Sequence, residues 1–168
     1  MDLSMSVLAW FHTAACVVAL ATGAWVILTP KGTRRHRAVG RVFTGALVFT
    51  CVTSLGIYSR HVWTFAHWFA VFGLAMVGAG WLLARFKRPR GAWRYLHLTC
   101  MLLAYYDLLG GGVNEVFLRV KPLRHFWRDG PQVIGMTHGI IMMGSLALIL
   151  LFLVATAVGR ARLKARAA

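Results

Sequence analysis

Acidic residues are the scarcest group in this chain: four of its 168 residues are Asp or Glu, against nineteen Lys and Arg. Charged residues make up 14% of the sequence, whereas soluble domains average about 25%. Hydrophobic residues make up 59%. The composition therefore excludes an ordinary soluble domain. A net charge of +15 often indicates nucleic-acid binding, but here the basic residues fall in short clusters between long apolar runs, so we expect a membrane protein and no nucleic-acid partner.

Cysteine and catalytic motifs are also sparse. Cys16, Cys51 and Cys100 each lie inside an apolar run, and such an odd, dispersed set excludes a disulfide framework. The sequence has no P-loop, no HExxH string and no Ser-His-Asp pattern, so catalysis in its own right is not expected, although the sequence does not decide the question. No basic segment precedes the first apolar run, which we expect to be a helix of the mature protein.

Five apolar runs are long enough to cross a bilayer as helices, for which about 17–25 residues are needed. They cover residues 5–28, 42–58, 65–84, 95–118 and 132–158, with boundaries good to a few residues. The sequence therefore predicts an all-α, polytopic membrane bundle of five transmembrane helices that forms a single domain over residues 1–168.

The basic residues indicate which ends of the helices face the cytoplasm. The connections after the first and third runs and the C-terminal tail carry most of them, so these segments are expected to be cytoplasmic. Because the number of spans is odd, the N-terminus is then outside and the C-terminus inside. We expect the first connection to be a loop whose cations contact anionic lipid headgroups, at about 1 kcal/mol each. Those cations are Lys31, Arg34, Arg35, Arg37 and Arg41.

The fourth run carries an unusual line of polar residues. One helical face, at steps of three or four residues, is formed by His97, Met101, Tyr105, Leu108, Gly112 and Glu115. An ionisable group at bilayer depth costs at least about 2.5 kcal/mol, so these groups are expected to face the bundle interior. Asp107, near the predicted midplane, forms a candidate proton path with Tyr105 and His97. Alternatively, Asp107 is a neutral group that hydrogen-bonds to Thr50 or Thr53.

The outer half of the predicted membrane collects ligand-type side chains from four helices. Each helical residue rises about 1.5 Å, so the depth of a residue follows from its distance along the sequence from the outer end of its span. By this measure five candidate cofactor-binding residues lie there. They are His12, His67, His138, Asn114 and Glu115. The three histidines are candidate metal ligands, because imidazole binds zinc, copper and haem iron. The alternative is that each histidine only hydrogen-bonds a neighbouring helix.

A single b-type haem on the outer side is the leading interpretation of this set. Gly135 and Gly139 flank His138, and small residues let a flat macrocycle approach the backbone. A second, cytoplasmic haem would need two histidines on that side. Only His97 lies inside a predicted span there, whereas His36 falls in the predicted loop and is expected to face solvent or headgroups.

Other ligands stay open for the same site. His12 and Cys16, and likewise His138 and Met142, are four residues apart and share a helix face, and thiolate and thioether ligands favour copper. Zinc, a quinone or no cofactor at all are further alternatives.

A family resemblance rests on the first connection. Pro30-Lys31-Gly32-Thr33, His36-Arg37 and Gly40-Arg41, together with the histidines at positions 12, 67, 97 and 138, resemble the bacterial membrane proteins of the domain of unknown function 2306 family. The resemblance covers the chain from the first run to the fifth. It implies a small helical protein of the bacterial cytoplasmic (inner) membrane, without an established activity. The arrangement of histidines on several helices also looks like that of small cytochrome-b-type bundles, which is an analogy of fold alone.

The sequence thus predicts a five-helix membrane protein that binds haem b or a metal in a redox or cofactor-handling role. Two alternatives belong to other functional classes. One is a non-catalytic structural or assembly subunit, held to other membrane subunits or to further copies of itself. The other is a small proton-coupled carrier centred on Asp107. Membrane lipids are expected partners in every case.

Overall fold

The computed structural model describes residues 7–56, 65–119 and scattered positions between 140 and 154, with the side chains at 65, 66, 114, 115 and 117–119 outside the description. These residues form four α-helices and no strand. The helices are α1 (Val7–Leu28), α2 (Arg34–Gly56), α3 (Phe65–Phe86) and α4 (Trp93–Arg119). The positions described between 140 and 154 are also helical, and the rest of the predicted fifth span lies outside the described residues.

All four helices are long and apolar enough to cross a membrane, which indicates a multi-pass membrane protein. Many of their large apolar side chains face outward, among them Trp10, Phe11, Trp68 and Phe86, each more than half exposed. Such extensive apolar surface is typical of contact with lipid. The prediction of an all-helical chain is therefore confirmed for the described residues, with four helices that could span a membrane, whereas the fifth span and the orientation of the chain stay predictions.

The start of α2 differs from the prediction. We expected a loop over residues 31–41 and a span from residue 42, but the helix begins at Arg34. Thr33 is its N-cap: the Thr33 hydroxyl oxygen accepts a hydrogen bond from the His36 amide at 3.0 Å. Four of the five cations predicted in the loop therefore lie on the first two turns of a helix. Hydropathy marks where a helix becomes apolar, and helical backbone can begin well before that point.

The turn between α1 and α2 is closed by Lys31. Its ammonium donates hydrogen bonds to the carbonyl oxygens of Val26 at 2.8 Å, of Thr29 at 2.9 Å and of Ile27. The last carbonyl groups of a helix lack partners within it, and a cation there also interacts favourably with the helix dipole. Gly32 then reverses the chain with a φ of 79°, which glycine adopts without strain.

The chain divides into two compact units, Met1–Gly112 and Val113–Ala168. In the first unit, side chains from all four helices form the hydrophobic core. The core consists of Ala19, Phe43, Leu47, Cys51, Ala70, Val77, Ala104 and Leu108.

A glycine allows the close approach of α4 to α1. A Cβ atom on Gly23 would lie 2.5 Å from Cδ2 of Tyr105 and 2.9 Å from Cε2 of Phe43. The Tyr105 hydroxyl donates a hydrogen bond to the Leu20 carbonyl oxygen at 3.2 Å. The Tyr105 ring therefore joins α4 to α1 and also packs beside Phe43 of α2, with ring centroids 6.2 Å apart.

Candidate functional site

His97 is held in one orientation by the backbone of the neighbouring helix. Its Nδ1 atom lies 2.7 Å from the carbonyl oxygen of Gly80 on α3. A carbonyl oxygen can only accept, so Nδ1 carries the proton and donates it. In the neutral imidazole the lone pair then lies on Nε2. Histidines that bind metals usually have this arrangement, in which one ring nitrogen donates to a carbonyl and the other is the ligand.

A second histidine lies near His97. His36 is in the first turn of α2, and its Nδ1 atom is buried without a hydrogen-bond partner among the described residues. His97, Lys31 and Arg37 are all close enough to His36 to act on it electrostatically. His36 of α2 and His97 of α4 therefore lie within electrostatic range of each other, at the end of the bundle that carries the basic residues.

His36 was expected to face solvent or headgroups, and its side chain is partly exposed, whereas its Nδ1 atom is buried. The sequence placed His36 in a loop because the surrounding residues are basic. In the structure α2 begins at Arg34, so the helix fixes the direction of the His36 side chain. The Thr33 N-cap is the sequence signal that could have revealed this, since threonine is a preferred residue at helix starts.

The surroundings of this histidine pair are partly open and strongly basic. Gly40 follows His36 by one helical turn on the same face of α2, and a Cβ atom there would have no neighbour within 4 Å. Partial burial lowers the pKa of the Lys31 ammonium, which is bound to α1 carbonyl groups. The pair therefore lies beside small-residue backbone and cationic side chains.

The predicted cofactors differ in the number of protein ligands that they need. Within residues 7–56, 65–119 and the described part of 140–154, no three His, Cys, Asp or Glu side chains form a group that could hold a metal ion. Protein zinc sites need three or four such ligands. Haem needs only one or two axial ligands, because the macrocycle supplies the equatorial nitrogens. The cofactor itself stays a prediction.

The outer histidines are only partly described. His12 Nδ1 lies 2.8 Å from the hydroxyl oxygen of Thr53, and that hydroxyl donates to the Phe49 carbonyl oxygen at 2.7 Å. Thr53 therefore accepts a hydrogen bond from His12, which joins α1 to α2. This is the contact expected if the histidine only hydrogen-bonds a neighbouring helix. His67 of α3 is buried, with 3% of its surface exposed.

The other members of the outer set lie outside the described side chains. His138 lies outside the described residues, and Asn114 and Glu115 are described only as backbone of α4. The outer site of His12, His67, His138, Asn114 and Glu115 therefore stays a prediction.

The candidate proton path has a different geometry from the one expected. The Tyr105 hydroxyl and the His97 ring donate to the carbonyl oxygens of Leu20 and Gly80, so their hydrogen bonds do not lead to Asp107. The Oδ1 atom of Asp107 and the hydroxyl oxygen of Thr50 are both buried without a hydrogen-bond partner in the described part of the chain. A hydrogen bond between these two atoms is therefore not formed.

No family model, curated protein or solved structure matches this chain. The resemblance to the domain of unknown function 2306 family therefore rests on residues 30–41 and the histidines alone. In the structure, residues 30–41 form the turn that joins α1 to α2 and the first turns of α2.

Proposed function

We propose that this protein binds haem b in the membrane and serves in electron transfer or haem handling, with His36 and His97 as the haem ligands. The observation that carries the proposal is the hydrogen bond from His97 Nδ1 to the Gly80 carbonyl oxygen at 2.7 Å, with His36 nearby. That bond directs the lone pair of His97 to Nε2, as a haem ligand requires.

The surrounding charges support the same ligand. Haem b carries two propionate groups, and cations beside them form charge-assisted hydrogen bonds. Lys31 and Arg37 lie within electrostatic range of His36, and further arginines follow on the first turns of α2. When bound by two imidazoles, haem supplies a one-electron iron couple. The role of the chain is to orient His97, supply His36 and hold the anionic edge of the cofactor.

The proposal differs from the sequence prediction in the position of the site. The sequence favoured the outer end of the bundle because only His97 was expected inside a span on the cytoplasmic side. Since α2 begins at Arg34, His36 supplies the second histidine. On the predicted orientation, the proposed site is cytoplasmic.

An absorption spectrum of the purified protein tests the proposal. The protein is expressed with a supply of haem, purified in mild detergent and measured oxidised and after reduction with dithionite. We expect a Soret band that shifts on reduction, sharp visible bands in the reduced form, and equimolar haem by pyridine haemochromogen assay. A preparation that is folded by circular dichroism and colourless in both states rejects the proposal.

An outer-side site for haem, a metal or a quinone is the second candidate. The observation that favours it is the burial of His67, because an imidazole with 3% exposure is unusual on a lipid-facing helix. His12, His67 and His138 are its proposed ligands, with Asn114 and Glu115 as neighbours. Loss of cofactor in His12→Ala and His67→Ala, with retention in His36→Ala and His97→Ala, would assign the cofactor to this site.

A further inference from the structure

Asp107 lies in the interior of the first unit, near the middle of α4, with 6% of its surface exposed. Two other helices contact it. A Cβ atom on Gly73 of α3 would lie 2.7 Å from Asp107 Oδ2 and 3.0 Å from the Cys51 sulfur of α2. Gly73 therefore provides the space that the carboxyl group fills, and α2, α3 and α4 meet at this point.

Asp107 packs beside a thiol and a glycine. The titratable group that faces it from α2 is the Cys51 thiol, which in turn interacts with the Cys16 thiol of α1. From α3 the contact is Gly73, which has no side chain.

Two buried oxygens, one on α4 and one on α2, have no hydrogen-bond partner among the described residues. They are Oδ1 of Asp107 and the hydroxyl oxygen of Thr50, the residue before Cys51. Buried polar atoms are almost always hydrogen-bonded, so the Asp107 oxygen needs an explanation.

We propose that Asp107, with Cys51 and Gly73 beside it, is a proton-binding site in the membrane interior. An ionised carboxylate without a partner is strongly disfavoured there, so the group carries a proton at neutral pH. The O–H bond forms on the carboxyl oxygen, and the proton comes from water and returns to it. The unpartnered Oδ1 atom of Asp107 can bind the water through which this exchange occurs. The site is independent of haem binding.

Infrared spectroscopy of the protein in lipid tests this site. At neutral pH we expect a carbonyl stretching band of a protonated carboxylic acid that is absent from Asp107→Asn and retained in Glu115→Gln. The Glu115 variant is the matched control, because it removes another acid from the same helix. The same comparison also distinguishes the band of Asp107 from that of a haem propionate, because a propionate band would remain in Asp107→Asn. Absence of the band in the wild-type protein, or its persistence in Asp107→Asn, overturns the proposal.

Transfer from H₂O to D₂O tests whether the proton exchanges. A proton-binding site predicts that the Asp107 carbonyl band shifts within minutes to hours of transfer. A band that stays unshifted after a day in folded protein shows a static buried acid and also overturns the proposal.

A pair of glycine variants tests the geometry. Gly73→Ala places a methyl group against Asp107 Oδ2 and should move or remove the band. Gly78→Ala on the same helix, where a Cβ atom meets nothing within 4 Å, should leave the band unchanged. Equal spectra for the two variants would contradict the assigned packing of the carboxyl group.

Discussion

The His97 ring and the Gly80 backbone are joined by a 2.7 Å contact between Nδ1 and the carbonyl oxygen. The contact depends on the absence of a side chain at position 80. A Cβ atom there would lie 2.9 Å from Cε of Met101 and 3.3 Å from Cβ of Cys100. Gly80 therefore sets the separation of α3 and α4 as well as the tautomer of His97.

Gly80→Leu should separate α3 from α4 and break the His97 hydrogen bond. Overpacking a helix contact typically costs about 1–3 kcal/mol, which we expect as a lower melting temperature in detergent, together with reduced haem content. Gly80→Ala should be milder, because the nearest atom is the flexible end of Met101. Equal haem content in Gly80→Leu and in the control Gly78→Ala would contradict this role.

Gly23→Ala should destabilise the protein without any change of polarity. Its new methyl group would meet the rigid rings of Tyr105 and Phe43, at a cost of about 1–3 kcal/mol. The control is Gly45→Ala on α2, where the added Cβ meets nothing within 4 Å and alanine improves helix propensity by up to about 1 kcal/mol. Thermal unfolding should therefore shift in opposite directions, and a shift in the same direction contradicts the packing.

The hydrogen bond between His12 and Thr53 should be measurable as a coupling energy. A double-mutant cycle with His12→Ala and Thr53→Val is expected to give about 0.6 kcal/mol, the average for such bonds between membrane helices. The control is Thr99→Val, because the Thr99 hydroxyl donates to the Tyr95 carbonyl oxygen of its own helix. A coupling between His12 and Thr53 no larger than that between His12 and Thr99 would show that the contact contributes nothing.

Lys31→Met should lower stability more than Arg34→Met, although both remove one cation from the same turn. Lys31 donates to carbonyl oxygens at the end of α1, and a cation at this position contributes about 0.3–1 kcal/mol. Arg34 is exposed at the start of α2, where a cation opposes the helix dipole. Denaturation of both variants in the same detergent measures the two losses of stability. A larger loss of stability for Arg34→Met would contradict the assigned role of Lys31.

The sequence predicts the membrane helices well because each is a long apolar run, and α1 and α3 end within two residues of their expected limits. The tight turn after α1 is explained by Pro30, which cannot continue a helix, and by Gly32, which adopts a positive φ without strain. Gly73 and Gly80 on α3 are closely packed, as small residues often are between helices in lipid, whereas Gly78 has open space beside it.

The histidine pair could not be predicted in the same way. Hydropathy gives no information about the polar first turns of α2, so His36 is assigned to a loop. The hydrogen bond of His97 to the Gly80 carbonyl oxygen depends on the crossing of α3 and α4, which no local pattern encodes. The interpretation of Asp107 likewise depends on which residues of α2 and α3 face it.

Haem content and absorption spectra of four histidine variants test the central claim most directly. His36→Ala, His97→Ala, His12→Ala and His67→Ala are purified alongside the wild-type protein, and haem per folded chain is measured with the reduced-minus-oxidised spectrum. We predict that His36→Ala and His97→Ala lose haem or its two-imidazole visible bands, while His12→Ala and His67→Ala retain both. Wild-type haem and spectra in both His36→Ala and His97→Ala would contradict the account.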